Sequence, residues 1–581
     1  MSQIFQFKIA PTLDAPVEKI RFVVPNHVAN LQDCECHVNI GFFFDGTKNN
    51  YEVDLPHIRH TNIARLFDTY RNDIRRGYSR VYVPGVGTKF PEIGEFGESD
   101  WGQGFGMGCE ARVLFAILEL FNALHKAAFN GKFFFNGDQT RALCSKKDFF
   151  KMSHDERAIL KVLGANSGIL MPDFFGKSNR DEFFKSQARR LENKLKSNEK
   201  PKIKECFLDI FGFSRGAAEA RVFCSWVDKL LIDGKLAGVP IRFRFVGIID
   251  TVASAGFWSS VGSGIKNTSD GHSGWAGVEY LRLPKNLENC VHMVAMHEIR
   301  RNFPIDQVNF QGTLPPNTQE VIYPGAHSDV GGGYAICELG VSVGESFLES
   351  DSLKLSQIPL NHMFKCAAAA GAPMEIFRAV KMVSFNPVTK KNVPIPIRYD
   401  PFKTSEIVSK AYEAFILCSG VTPRHISEWM QPYLNWRWQN RSRHSELLHV
   451  RRANEEDRKI LRRFNGVLIR DADLIERISG VDKAAKIRAA LGIQPFTEKE
   501  LVVASYLDKE AKAVLDSAKN APVVATPVQH LFDNFVHDGL AGFNSVLLEP
   551  TGYWRYRKGF VGGHASGIVM SEQKNDGDLL A

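Results

Sequence analysis

The sequence predicts an α/β fold: a mostly parallel sheet flanked by helices, with a helical accessory region after it. Three observations predict this. From about residue 37 to 350, apolar runs of strand length alternate with helical runs, as strands joined by helical crossovers require. One G-x-S-x-G string, Gly212-Phe213-Ser214-Arg215-Gly216, lies directly between an apolar strand run and a helical run. Beyond about 350 the pattern turns helical and more charged, most of all at 437–465.

The elements read as follows. Residues 1–36 form a polar lead-in. A strand over 38–44 breaks into Asp45-Gly46 and Asn49-Asn50, a strand end feeding a tight loop. A helix starts near Asn62, and a strand over 80–83 stops at Pro84-Gly85. The Gly-rich stretch 92–108 leads into a strongly apolar helix over 109–129. Residues 130–180 are Lys- and Phe-rich and weakly periodic, so they read as an insertion. A helix over 182–197, with Asp181 as its N-cap candidate, precedes a strand over 204–211. A helix over 215–233 follows directly. A strand over 241–249 ends in Asp250, and residues 252–276, rich in Gly, Ser and Trp, read as a loop. A strand over 289–296, a short helix over 297–302 and a strand over 319–323 complete the alternation. Residues 521–527, Ala-Pro-Val-Val-Ala-Thr-Pro, read as a linker. Four regions are therefore expected: a lead-in over 1–36, a catalytic α/β domain over 37–350 with its insertion at about 130–180, a mainly helical accessory or membrane-docking region over 351–525, and a C-terminal segment over 526–581 that packs back on the catalytic domain.

The chain has 581 residues, 44% apolar and 24% charged, which excludes disordered, collagenous and disulfide-scaffold classes. The net charge of +8 is mild. It permits attraction to an anionic membrane or nucleic acid without demanding either. The ten cysteines are scattered with no C-x-x-C pair, and Cys206, Cys224, Cys290 and Cys418 sit in apolar runs. Buried free thiols, made in a reducing cytosol, are expected. No basic stretch followed by an apolar one opens the chain, and no uncharged apolar run reaches the ~18 residues of a membrane span. If the protein leaves its cell, the expected route needs no cleavable signal.

The G-x-S-x-G string carries the chemistry. A nucleophile placed on a sharp strand-to-helix turn needs small residues two before and two after it, and both are Gly here. Ala217 and Ala218 let the next helix approach the sheet, and the helix N-terminus points free N–H groups at the serine. A second match, Gly340-Val341-Ser342-Val343-Gly344, has no strand leading in and reads as loop. The first makes the fold α/β-hydrolase-like, with Ser214 as nucleophile. Serine needs a base, and the base an orienting carboxylate, in the chain order Ser, acid, His. Asp250 ends an apolar strand. His327 follows another strand, in a loop with three consecutive glycines at 331–333. His297, Asp329 and His537 are the alternatives; Glu298 and Arg300 make His297 read more naturally as part of a buried ion-pair corner. Asp250, His327 and Asp329 could instead hold a hard cation, but a metal site would leave Ser214 unexplained, so no metal and no cofactor are expected. The oxyanion hole should take one donor from the amide of Arg215 and another from the loop at Gly46 and Thr47. Asp45 reads as a staple of that loop.

These pieces resemble a known family. G-F-F-F-D-G-T-K-N-N, Y-V-P-G-V-G-T, F-G-F-S-R-G-A-A-E-A-R, V-G-I-I-D-T-V and G-A-H-S-D-V-G-G-G-Y stand at 41–334 in the order of the type VI secretion lipase effectors with an α/β-hydrolase-like catalytic domain. The tail motifs, F-D-N-F-V-H-D and G-Y-W-R-Y-R, are similar to the end of such proteins. The resemblance implies a phospholipase toxin acting on glycerophospholipids from the periplasmic side of a rival bacterium. It implies Ser214, Asp250 and His327 as the triad. It also implies loading onto a secretion spike protein and neutralisation by a cognate immunity protein. A phospholipid membrane is then the substrate, and nucleic acid is not a partner. Aromatic-basic mixtures at 436–452 and 554–558 could dock a bilayer, or be solvated helix faces with the Trp rings anchored in the core. The rival functions are a soluble carboxylesterase or thioesterase with the same triad, distinguished by activity on short esters but not vesicles, and a non-catalytic membrane-binding or adaptor module, distinguished by normal function in Ser214→Ala.

Overall fold

The computed structural model of the chain describes residues 8–9, 35–98, 105–145, 151–165, 180–198, 201–253, 279–300, 303–309, 314–375, 380–386, 391–419, 426–479, 510–541, 552–561 and 564–566. Its strands are β1 (Lys8–Ile9), β2 (Glu35–Phe44), β3 (Tyr78–Val83), β4 (Lys202–Phe213), β5 (Lys235–Leu236), β6 (Val239–Ile249), β7 (Cys290–Ala295), β8 (Ile305–Asp306), β9 (Thr318–Tyr323), β10 (Val380–Asn386), β11 (Lys391–Tyr399), β12 (Gly559–Val561) and β13 (His564–Ser566). The main sheet runs β1-β9-β7-β6-β4-β2-β3, every neighbouring pair parallel, with β5 added antiparallel to β6. The predicted α/β-hydrolase-like architecture, a mostly parallel sheet flanked by helices, is the one that forms.

Parallel strands need crossovers on both faces, so their residues are apolar on both sides. Ile40, Phe42, Leu208, Ile210 and Val246 pack on one face against the helices Phe105–Ala128, Arg180–Ser197 and Arg215–Leu230. Phe43, Phe211 and Phe245 pack on the other face with the helices Asn62–Thr69 and Gln357–Ala369. That second cluster continues without a break into Tyr412, Trp436, Phe532 and Trp554. The helices beyond residue 400 thus share a core with the sheet. The chain end joins them: β12 pairs in parallel with β8, Gly559 opposite Ile305 and Phe560 opposite Asp306.

Several expectations need correction. The 130–180 stretch holds two short capped helices, Gly137–Leu143 with Asn136 and Gln139 as a capping box and His154–Leu163 with Ser153 and Glu156 as another. Short helices carry too few turns to show a period. Asp181 lies inside its helix, which begins at Arg180. Residues 297–300 turn without forming a helix, because Glu298 folds back on the Arg300 amide. The region after 350, expected to be mainly helical, also holds the antiparallel hairpin of β10 and β11. The lead-in contributes β1 to the sheet edge beside β9. The 521–527 linker gives only its last two residues to a helix, with Pro527 in the first turn of Thr526–Phe535. Cys206, Cys224 and Cys290 are buried, but Cys418 is exposed. The expected loop over 252–276 falls mostly outside the described residues. Among the described residues, no helix is long and apolar enough to cross a membrane.

The two aromatic-basic clusters are largely interior. Trp436, Arg437, Trp554, Arg555 and Arg557 are buried. Arg437 pairs with Asp538 at 3.2 Å, and Trp554 donates its ring N–H to the Leu468 carbonyl at 2.9 Å. Arg443, Arg451, Arg452 and Lys558 are exposed. Proximity in sequence therefore made a patch of residues that face opposite ways.

A buried ion pair ties the two central strands. Arg244 of β6 reaches Asp209 of β4 with Nε at 2.9 Å and Nη2 at 2.5 Å, and its Nη1 reaches Asn39 of β2 at 3.0 Å. Tyr70 donates to the same carboxylate at 2.7 Å. Removing one partner of such a pair strands a buried charge, at a cost of about 3–5 kcal/mol. Arg244→Met should lower stability by that order in urea unfolding, and adding Asp209→Leu should recover most of it. A loss under about 1 kcal/mol in the single variant would contradict this.

Candidate active site

The ends of β4, β6 and β9 lie along one edge of the sheet, where parallel strands all finish. β4 ends at Phe213, and the helix Arg215–Leu230 starts two residues on. Between them Ser214 takes φ 58° and ψ −123°, a conformation that L residues adopt only when surrounding structure enforces it. The enforcement is visible. Ser214 N–H donates to the Ile249 carbonyl at 2.9 Å, and Val252 N–H donates to the Ser214 carbonyl at 3.1 Å, tying the turn to the end of β6. A Cβ on Gly212 would stand 2.5 Å from the Gly216 carbonyl oxygen, and one on Gly216 would stand 2.3 Å from that of Phe44. Both positions of the motif are therefore sterically closed to any other residue.

Asp250 follows β6 with φ 46°. Its amide donates to Met293 O at 2.7 Å, and Oδ1 accepts the Ala295 amide at 2.9 Å. The next residue is pinned as well. His292 accepts the Thr251 amide at Nε2, 3.2 Å away, and its Nδ1 meets Glu320 at 2.8 Å. His327 opens a short helix after β9. Its Nδ1 meets Asp250 Oδ2 at 2.5 Å, and its amide donates to Glu298 Oε2 at 3.0 Å. With Nδ1–H given to the carboxylate, the Nε2 lone pair is left to accept a proton. Phe213, the neighbour of Ser214, stacks on the imidazole with centroids 4.5 Å apart, and Phe303 meets it edge-on at 4.9 Å. The structure thus brings Ser214, Asp250 and His327 to one edge, each almost fully buried.

The electrostatics favour a neutral His327 beside an ionised Asp250. Burial alone would raise the Asp250 carboxyl, but the Arg557 guanidinium and then His327 outweigh it and hold the group well below the usual carboxylate range. Burial lowers His327, and the hydrogen bond and charge of Asp250 only partly restore it. Burial would raise Glu298, yet Arg300 pulls it down to about 2.

The loop expected to supply an oxyanion donor comes to the same edge. The Gly46 amide, however, donates to Asp45 Oδ1 at 2.7 Å. Asp45 also accepts from Thr61 at 2.7 Å and Tyr82 at 2.5 Å, so it staples the loop. Burial, only partly offset by those donors, pushes its carboxyl up to about 7. That leaves the Thr47 and Arg215 amides as candidate donors, with the Arg215 side chain bonded to the Thr47 hydroxyl.

The alternative residues go elsewhere. His297 accepts the Gly325 amide at Nδ1, 2.9 Å away, among Phe415, Tyr433 and Phe532. The buried Glu298 pairs with the partly buried Arg300 at 2.9 Å. Asp329 accepts the amides of Ala326 and His537 and the His537 ring at 2.6 Å. His537 stacks on Tyr334 at 3.6 Å. Asp329 therefore does not join Asp250 and His327 around one point. Arg557 was missed as a site residue: it sits on Asp250 but lies 307 positions away in the chain.

Residues 234–366 match a family model described as the type VI secretion phospholipase effector Tle1-like catalytic domain. The resemblance carried by the motifs is borne out over these residues, which include Asp250 and His327. A crystal structure of an uncharacterized protein from Pseudomonas aeruginosa is similar in fold, with a TM-score of 0.64 at 24% identity over 91% of this chain and 80% of that one. A Tle1 effector bound to the VgrG spike of a type VI secretion system aligns at a TM-score of 0.29 and 17% identity, over 59% of this chain and 75% of that one. No curated protein matches.

Burial drives His297 down to about 3. In the unfolded chain a histidine titrates near ~6.5. Between those values the unfolded state holds a proton that the folded state does not, so stability falls as pH falls, by about 1.4 kcal/mol per unit for each such group. His362, held at about 4, adds in the same direction. His297→Gln should shrink the loss of stability between pH 7 and pH 5 by about 2 kcal/mol in urea unfolding, while turnover per folded molecule persists. An unchanged pH dependence, or lost turnover in folded protein, would contradict this placement.

Proposed function

We propose that the chain is a serine esterase of phospholipase A type, an antibacterial effector delivered by a type VI secretion system. One observation carries the reading: the strained elbow serine follows Phe213, whose ring stacks on His327 of a buried His327–Asp250 pair, and that pair falls within the stretch that matches the Tle1-like catalytic domain. The substrate is an acyl ester of a glycerophospholipid, met at the target cell's membrane from the periplasm. A secretion spike protein carries the effector and an immunity protein protects the producer. The family match and the motif order support these partners.

In the reaction, His327 Nε2 takes the Ser214 hydroxyl proton as Oγ bonds to the ester carbonyl carbon. The oxyanion that forms faces the amide of Arg215, at the first turn of its helix, and that of Thr47. Asp250 holds the imidazolium. Collapse breaks the bond to the glycerol oxygen, which leaves with the proton from His327 Nε2. Water then attacks the acyl-enzyme with His327 again as base, and a fatty acid departs.

Ser214→Ala should fold, because it keeps the backbone and removes only the hydroxyl. It should lose hydrolysis of phospholipid vesicles and short esters alike, leaving about 10³–10⁴ over water. His327→Ala should lose as much, and the double variant little more, because the two act as one unit. Since burial lowers His327, the acid limb of kcat/KM should lie below ~6.5. Turnover retained in Ser214→Ala would overturn the reading. Short-ester activity without vesicle activity in the unaltered protein would favour a soluble esterase.

A further inference from the structure

Asp250 has more partners than orienting a histidine requires. Arg557 donates Nη1 to Oδ1 and Nη2 to Oδ2, each at 2.7 Å. The Ala295 amide takes the second site on Oδ1 and His327 the second on Oδ2. Both carboxylate oxygens are thus held twice. The guanidinium is itself anchored, Nε to the Phe303 carbonyl at 2.7 Å and Nη1 to that of Ala295 at 3.2 Å. Its backbone is stitched in place, with Ile305 N–H donating to Lys558 O at 2.9 Å and Gln307 N–H to Phe560 O at 3.0 Å. Arg557 is 2% exposed and Asp250 fully buried.

We propose that Arg557, delivered by the C-terminal segment, is a positioning residue of the hydrolase that fixes the Asp250 carboxylate so that His327 faces Ser214. The proposal rests on the triad roles given above to Ser214, Asp250 and His327. A planar fork on both oxygens stops the carboxylate from swinging about its Cβ–Cγ bond, which a point charge could not do. It also offsets the Asp250 charge. Among the described residues, the charged groups that act on His327 are Asp250 from the end of β6 and Glu298 and Arg300 from the turn after β7, with Arg557 from the tail behind Asp250. Glu298 and Arg300 pair with each other, as Asp250 and Arg557 do, so neither pair holds a large net charge toward the ring. Taking away the Arg557 cation uncovers Asp250, favours the imidazolium and keeps the base protonated to higher pH.

The test compares Arg557→Met, Arg557→Lys and a control on the same segment, Arg555→Gln, whose wild-type side chain holds the Ile299 carbonyl rather than Asp250. Turnover of a short soluble ester is measured across pH and expressed per serine titrated with a reactive alkyl phosphonate. Arg557→Met should lower kcat by about 10–100-fold with KM little changed. Its acid limb of kcat/KM should move up by about one pH unit. Arg557→Lys, which keeps the charge but not the fork, should restore the limb and only part of kcat. Arg555→Gln should lower Tm and leave the limb in place. Wild-type kcat and limb in Arg557→Met would overturn the proposal, as would an equal shift in Arg555→Gln. If Arg557→Met does not fold, Arg557→Lys decides alone, and full kcat there overturns it. Turnover surviving in Ser214→Ala or His327→Ala would instead overturn the triad reading beneath it.

Discussion

The carboxylate of Asp250 is the point on which the rest of the site depends. It is fully buried, and burial of a lone carboxylate would neutralise it. It stays ionised because Arg557, His327 and the Ala295 amide meet it with four hydrogen bonds. Those partners come from β7, from the turn after β9 and from the far end of the chain. One charged group therefore requires the sheet, the histidine loop and the C-terminal segment to be assembled together. This explains why the tail is sewn onto β8 by backbone hydrogen bonds rather than left to side-chain packing.

A second constraint acts on the serine side. Ser214 occupies a backbone conformation that costs about 1–3 kcal/mol on its own. Two ties to the end of β6 and the close approach of Gly212 and Gly216 hold it there. The strain and the buried carboxylate face each other across adjacent strands β4 and β6, which Arg244 and Asp209 clamp a few residues upstream. The register of those two strands thus sets the relation between Ser214 and Asp250.

Much of this was legible in the sequence where the physics is local. The elbow needs small residues at fixed offsets, so a single string revealed it. Asp250 and His327 stood out because each follows an apolar strand run. The sheet itself followed from alternation. What escaped was non-local. Nothing near Arg557 signals a partner 307 residues away, and its neighbours Trp554 and Tyr556 made the tail look as much like an interfacial patch as a core segment. Gly46 was a reasonable oxyanion donor by position, but its amide turns back onto the adjacent Asp45, a choice made by loop geometry that composition does not encode. The β10–β11 hairpin was lost inside a region whose charged helices dominate the pattern.

We propose Ser214 as the nucleophile and His327 as its base. A crystal structure of the protein after reaction with a long-chain alkyl phosphonate tests it most directly. The account predicts continuous density from Ser214 Oγ to phosphorus, the phosphoryl oxygen toward the Arg215 amide, and His327 Nε2 within hydrogen-bond distance of Oγ. An adduct on any other residue, or a labelled Ser214 with His327 turned away from it, would contradict the account.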